Sequence, residues 1–218
     1  MIMHNNSYSL SEAFGNYSTL YKPQNPIADI VEFLANNDLS RKQFDKVCSN
    51  LGVQFSFYKD EFLDLMLFYI RFCLKDHVLT SDEKLNIQHL KILFRVKNDD
   101  FYKLKRDQVR ELLEIELAII LRDKSIDQAE ALHQADLQRI FDLSYDQYLQ
   151  LTMNSIEDIV ESLIARVTAD GIVTEDERKE LLQQIIALDT VYNLSPAQKD
   201  LIYGMHSSEG DKKGAEAK

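Results

Sequence analysis

The residues whose types and spacing are best suited to chemistry form an acidic turn late in the chain. The run Asp170-Gly-Ile-Val-Thr-Glu-Asp-Glu177 has the spacing of the second half of a calcium-binding loop, with a glycine after the first aspartate and a closing glutamate. The first ligands of a complete loop would fall on Arg166 and Thr168, and a guanidinium there would repel a cation. The spacing therefore excludes a normal EF-hand and leaves a smaller oxygen site for Ca²⁺ or Mg²⁺ at Asp170 and Glu177.

Earlier turns of the sequence carry acidic residues of the same kind. A weaker candidate cation site consists of Asp123, Asp127 and Glu130, and another pairs Asp76 with Glu83. The competing interpretation is structural, because a cap residue followed three positions later by glutamate forms a capping box that satisfies free backbone N–H groups. We favour this structural interpretation over the cation site. The sequence requires no cofactor, and Ca²⁺ or Mg²⁺ stays the alternative.

Histidines and glutamates within apolar helices are further candidate site residues. Glu130 and His133 have the Glu-x-x-His spacing of di-iron ligands, but such sites need two copies and the sequence has one. We therefore interpret His77, His89 and His133 as surface histidines. Two glutamates lie in a strongly apolar helix, Glu114 and Glu116, and we expect the more buried one to pair with an arginine or lysine.

Composition narrows the class of protein. The formal net charge is -11, which disfavours nucleic acid as a partner, and few residues break helices, with only 6 Gly and 3 Pro. No apolar run approaches the roughly 20 residues that cross a bilayer, and no secretory signal is recognisable. We expect a cytoplasmic protein in which Cys48 and Cys73 are buried thiols. Nucleotide-binding, nucleophile-elbow and zinc-protease motifs do not occur in the sequence, which predicts that it is not an enzyme.

The elements that must position these residues are repeated helix pairs. The apolar turn residues Leu79, Ile126 and Val173 lie 47 residues apart, and Leu39 precedes Leu79 by 40. We predict an all-α fold, a stack of antiparallel helix-turn-helix hairpins. An N-terminal arm (1–22), which Tyr8 and other aromatic residues anchor, precedes a single helical domain (23–206). Its three to four hairpin repeats span about 27–52, 60–102, 109–150 and 155–203, and a disordered tail (207–218) follows.

The run from Thr168 to Arg178, followed by an apolar helix and Leu194-Ser-Pro, resembles the TerB-like family of helical domains. The likeness covers residues 156–203; it reaches 60–102 and 109–150 only by pattern, where His77 and Lys124 replace Gly171. The resemblance implies a cytoplasmic helical bundle serving stress responses such as tellurite resistance. It also implies protein partners, divalent-cation binding through the acidic turn, and in some members contact with a membrane surface.

These inferences predict a non-enzymatic protein-interaction module, linked to stress response and to a divalent cation. The alternative is an acidic immunity or inhibitor protein that neutralises a basic partner such as a nuclease toxin, which the charge of -11 would attract. A hydrolase with converging carboxylates is a third class. Formation of a homodimer and peripheral association with a membrane stay open.

Overall fold

The computed structural model of the chain describes residues 7–36, 39–120, 128–152, 174–176, 178–179 and 181–183, with the backbone alone at 120 and 128–131. Regular structure in these ranges is helical throughout, which confirms the predicted all-α class. The helices are α1 (Leu10–Tyr21), α2 (Ile27–Ala35), α3 (Arg41–Asn50), α4 (Lys59–Cys73), α5 (Ser81–Leu93), α6 (Asp100–Leu104), α7 (Arg106–Ile120) and α8 (Gln128–Ile140). A 3-10 turn, Leu74–Asp76, follows α4, and residues 145–152 are helical. None of the helices within these ranges has the length and apolar character needed to cross a membrane.

The chain divides into two compact units, residues 1–118 with 132–151 and residues 119–131 with 152–218. In the second unit, the described residues from 175 to 183 are helical. This helix begins directly after Thr174, as its cap sequence predicts, and the N–H of Arg178 donates to the Thr174 carbonyl at 3.0 Å. Leu181 is buried there. The features described below belong to the first unit.

Helices α4 and α5 form a hairpin around the aromatic core. The rings of Phe62 and Phe94 stack with centroids 4.6 Å apart, and nearer the turn Asn86 donates to the Tyr69 hydroxyl at 3.0 Å. Because these contacts run in opposite directions along the two helices, α4 and α5 are antiparallel. A continuous stack of such hairpins along the whole chain stays a prediction.

The ends of α5 and α8 are built in the same way, 47 residues apart. Arg95 and Asp142 both adopt the left-handed conformation, with φ of 53° and 51°. The backbone bonds at the first end run from Phe94, Arg95 and Val96 to Leu90, Ile92 and Lys91; those at the second run from Phe141, Asp142 and Leu143 to Leu137, Arg139 and Gln138. Each donor and each acceptor at the end of α8 lies 47 residues after its counterpart at the end of α5. The spacing of the turn residues in the sequence is therefore also the spacing of these two helix ends.

The segments that follow these two ends lie beside each other. Tyr102 donates to Gln150 at 2.6 Å, and Gln147 donates to Asp99 at 2.9 Å; both pairs are 48 residues apart. The short helix predicted within 98–104 is α6, and the one predicted within 144–151 is the helical stretch from 145. Both contacts therefore join positions that are one residue out of step with the 47-residue repeat.

The N-terminal residues differ from the expectation. No helix was predicted before Asn25, yet α1 forms there, capped by Ser9, whose hydroxyl accepts the Glu12 N–H at 3.1 Å. Ser9 and Glu12 have the Ser-x-x-Glu spacing of a capping box, a signal that the sequence does contain. Leu10 and Phe14 of α1 are buried, so aromatic and apolar residues do anchor this segment.

Candidate functional site

The acidic residues predicted to hold a cation fall outside the described part of the chain. This applies to Asp170, Glu177, Asp123 and Asp127, and to the side chain of Glu130. Among the residues that are described, no three His, Cys, Asp or Glu side chains are grouped so as to hold a metal ion. The proposed Ca²⁺ or Mg²⁺ site therefore stays a prediction.

The turn before α5 shows what its acidic residues do. Thr80 and Glu83 form the predicted capping box: the Thr80 hydroxyl accepts the Glu83 N–H at 3.3 Å, and Glu83 Oε2 accepts the Thr80 N–H at 2.8 Å. Glu83 Oε1 accepts a second backbone N–H, from Tyr8, at 2.8 Å. Asp76 Oδ1 accepts the N–H of Val78 at 3.3 Å. Both carboxylates therefore serve the backbone, so the structural interpretation holds at this turn.

A buried carboxylate joins three segments further along. Glu116 of α7 is 3% exposed; its Oε1 lies 3.2 Å from His77 Nδ1 in the turn after α4, and its Oε2 lies 3.1 Å from His133 Nε2 of α8. These distances match hydrogen bonds donated by the two imidazoles to one carboxylate. Since both oxygens are engaged and the group is buried, the arrangement favours holding the segments in register over turning over a substrate.

The partners of this glutamate correct two expectations. Glu116 was expected to pair with an arginine or lysine, whereas histidines take that place. His133 was interpreted as a surface histidine, but its side chain is only 11% exposed; the His77 side chain is 45% exposed. His77 also has a left-handed backbone, with φ of 59°, a conformation that favours glycine, and Gly171 lies two repeat lengths after it in the sequence. The sequence did contain a signal, since both Glu116 and His133 lie in the hairpin predicted at 109–150.

The same polar position recurs in the neighbouring hairpin. Tyr69 and Asn86 bond each other across α4 and α5, and Glu116 and His133 do so across α7 and α8; each pair is 17 residues apart. The second pair lies 47 residues after the first. A polar contact at one repeat position is therefore a structural feature of these hairpins, which supports a registering role for Glu116.

Two buried thiols lie in the first unit, as the sequence predicted. Cys48 and Cys73 are free and at most 1% exposed. Burial, with a contribution from Asp45, raises the pKa of Cys48 to about 11. Burial also raises the pKa of Cys73. Both side chains are protonated at neutral pH, and a thiol in that state is a poor nucleophile.

An open groove of about 620 Å³ runs between α5 and the end of α8. Its lining includes Ile87 and Ile140, which are nearly buried, and Ile92, which is 53% exposed. Ion pairs join the two helices: Lys84 to Asp136 and Lys91 to Asp142, each at 2.7 Å. Burial lowers the pKa of Lys91 despite its bond to Asp142. Long charged side chains thus hold the two helices together along an apolar depression.

Comparison with models of known protein families, with characterised proteins and with solved structures found no match for this chain. The resemblance to TerB-like proteins thus rests on the sequence run around Asp170 and Glu177.

Proposed function

We propose that the chain is a non-enzymatic, cytoplasmic protein-interaction module, and that the groove between α5 and α8 receives a helix of a partner protein. The single observation that carries this proposal is the groove itself. Its volume of about 620 Å³ is within the range of ligand-binding clefts, and its apolar lining is bounded by charged side chains. An apolar stripe flanked by charges is the surface that amphipathic helices recognise.

The outer face of α5 supports the same assignment. Leu85 and Ile92 lie seven residues apart, which puts them on one side of the helix, and they are 52% and 53% exposed. Isolated apolar residues on a surface need no explanation, but Ile92 also lines the groove. A partner helix lying over the groove would cover Ile92, the exposed isoleucine of its lining.

The test compares two exposed isoleucines of nearly equal accessibility. Ile92 lines the groove and is 53% exposed, whereas Ile115 on α7 is 52% exposed and does not line it. The full chain carrying Ile92→Asp should lose a partner that the unsubstituted chain and the Ile115→Asp variant both retain on affinity capture from native lysate. Identical capture by all three proteins would rule out the groove as the docking surface.

The wider proposal is a TerB-like module of a stress response such as tellurite resistance, linked to a divalent cation. It is supported by the sequence from Thr168 to Arg178, in which Asp170 and Glu177 are the ligands. Ca²⁺ or Mg²⁺ should raise the thermal midpoint, and Asp170→Ala with Glu177→Ala should abolish that rise. An unchanged midpoint in both metals, for the unsubstituted chain, would contradict the cation site.

A second candidate function follows from the charge of -11, which suits an inhibitor of a basic protein such as a nuclease toxin. Salt separates the two proposals. A complex held by apolar contacts in the groove should persist at high salt, whereas one steered by net charge should associate more slowly as salt increases. Capture that is lost at high salt in the unsubstituted chain and is unaffected by Ile92→Asp would favour the inhibitor.

A further inference from the structure

The main chain of Tyr8 is held by side chains of the α4–α5 hairpin. Its N–H donates to Glu83 Oε1 at 2.8 Å, and its carbonyl accepts the Tyr69 hydroxyl at 2.9 Å. Its ring meets Phe72 edge to face, with centroids 5.2 Å apart and the ring planes at 79°. The hairpin therefore contacts both backbone groups and the side chain of a single residue, Tyr8.

The groups that hold this residue are buried and oriented. Tyr69 is fully buried and Glu83 is 1% exposed. The Asn86 amide donates to the Tyr69 hydroxyl at 3.0 Å, which leaves that hydroxyl's proton directed to the Tyr8 carbonyl. Thr80 occupies the other oxygen of Glu83, as part of the capping box. One acceptor and one donor are thus preset for the N–H and C=O of one residue, which is how a strand-like peptide is recognised.

The repeat shows which contact the N-terminal segment replaces. In the next hairpin, the corresponding polar pair, Glu116 and His133, is contacted by His77 from the preceding turn. At Tyr69 and Asn86, the residue that fills that role is Tyr8 of the N-terminal segment. The helix pair α2 and α3 precedes this hairpin, and α3 contacts α5. The Tyr69 hydroxyl nevertheless bonds to the N-terminal segment, at the Tyr8 carbonyl.

We propose that the surface formed by Tyr69, Phe72 and Glu83 is a peptide-binding site that residues 7–9 occupy in cis. Its trans occupant is an extended segment of a partner protein with an aromatic residue at the position of Tyr8. The chemistry of that occupant follows from the contacts: a free backbone N–H and C=O on one residue, and an aromatic ring that packs against Phe72. The site is separate from the α5–α8 groove and goes beyond the function proposed for it.

The experiment releases the segment by a single substitution in the full chain. Tyr8→Pro removes the N–H that Glu83 accepts and the ring that contacts Phe72. The probe is a fluorescently labelled peptide with the sequence of residues 5–10, Asn-Asn-Ser-Tyr-Ser-Leu, measured by anisotropy. It should bind the Tyr8→Pro chain and bind the unsubstituted chain at least about tenfold more weakly, because the tethered segment competes at a high effective concentration.

Two further variants in the Tyr8→Pro background locate the binding. Tyr69→Phe removes one hydroxyl and Phe72→Leu removes one ring, so each substitution should weaken binding of the peptide. If Tyr69→Phe lowers the helical circular dichroism signal, Phe72→Leu decides the result. A peptide with alanine in place of tyrosine should bind more weakly to Tyr8→Pro. Binding that is absent from the Tyr8→Pro chain, or unchanged by a folded variant, overturns the proposal. Dimerisation of the unsubstituted chain through this segment would also overturn it, and would assign the site to a second copy.

Discussion

The buried contact between Glu116 and its two histidines lends itself to a double-mutant cycle. The Glu116 side chain is 4% exposed, that of His133 is 11% exposed and that of His77 is 45% exposed. The perturbations are Glu116→Leu, His133→Leu and His77→Leu, alone and with Glu116→Leu in pairs. Leucine keeps most of the side-chain volume while removing the polar atoms. Each cycle therefore isolates a polar contact and leaves no large cavity.

The burial of each side chain determines the expected loss of unfolding free energy and the expected coupling energies. Removing either Glu116 or His133 leaves the other buried with a lost partner, and we expect each to lower the free energy of unfolding by about 2 kcal/mol. Removing both takes the two polar groups out together, so the pair should couple by about 2 kcal/mol. Water can replace Glu116 at His77, so that coupling should be about 0.5 kcal/mol.

The assay is urea unfolding of the full chain, followed by helical circular dichroism at neutral pH. The free energies of unfolding at zero urea give both couplings. A His77 coupling equal to or larger than the His133 coupling would refute the reasoning, since it would show that burial does not decide the strength of these contacts. Couplings near zero for both would show that Glu116 is not held by the histidines.

Three further predictions use single substitutions. Thr80→Ala should lower the free energy of unfolding by about 1 kcal/mol through loss of the cap, whereas Ser81→Ala, exposed beside it, should change it by under about 0.5 kcal/mol; chemical unfolding measures both. Gly52→Ala should lower the free energy of unfolding by about 1 kcal/mol because φ at Gly52 is +66°, while Gly15→Ala inside α1 should raise it by about 0.5 kcal/mol. Neither new Cβ meets an atom within 4 Å, so the difference comes from backbone conformation. Equal changes in the two unfolding free energies would contradict that assignment. The folded state raises the pKa of Cys48 from 9.0 to about 11, so its stabilising effect is complete below pH 9.0 and is lost as pH rises towards 11; the unfolding free energy of Cys48→Ala should fall less over that window than that of the unsubstituted chain.

Local signals in the sequence predicted much of the first unit because they depend on neighbouring residues. The apolar spacing of α4 and the capping box of Thr80 and Glu83 involve atoms a few residues apart, so the pattern contains the whole interaction. The 47-residue spacing likewise aligns turns that each form locally. The structure adds that this spacing also aligns the hydrogen bonds closing α5 and α8.

Contacts between distant residues were harder to predict. No spacing rule joins His77 to Glu116, which are 39 residues apart, and the Tyr8 contact with Glu83 spans 75 residues. The groove between α5 and α8 depends on ion pairs about 50 residues apart in sequence, such as Lys84 with Asp136. Helix α1, which was not predicted, is a different case, since the spacing of Ser9 and Glu12 is a local sequence signal for the start of a helix.

Because the ends of α5 and α8 match, the 47-residue repeat can be duplicated as a whole. A tandem duplication of 47 residues with its seams after Val96 and Leu143 would join each new copy through the same backbone bonds that close the existing ones. A chain of this kind gains or loses length in whole copies, because an insertion of another length would shift Asp99 away from Gln147. Duplication of one copy would therefore change the number of helix pairs while keeping the backbone bonds at each junction.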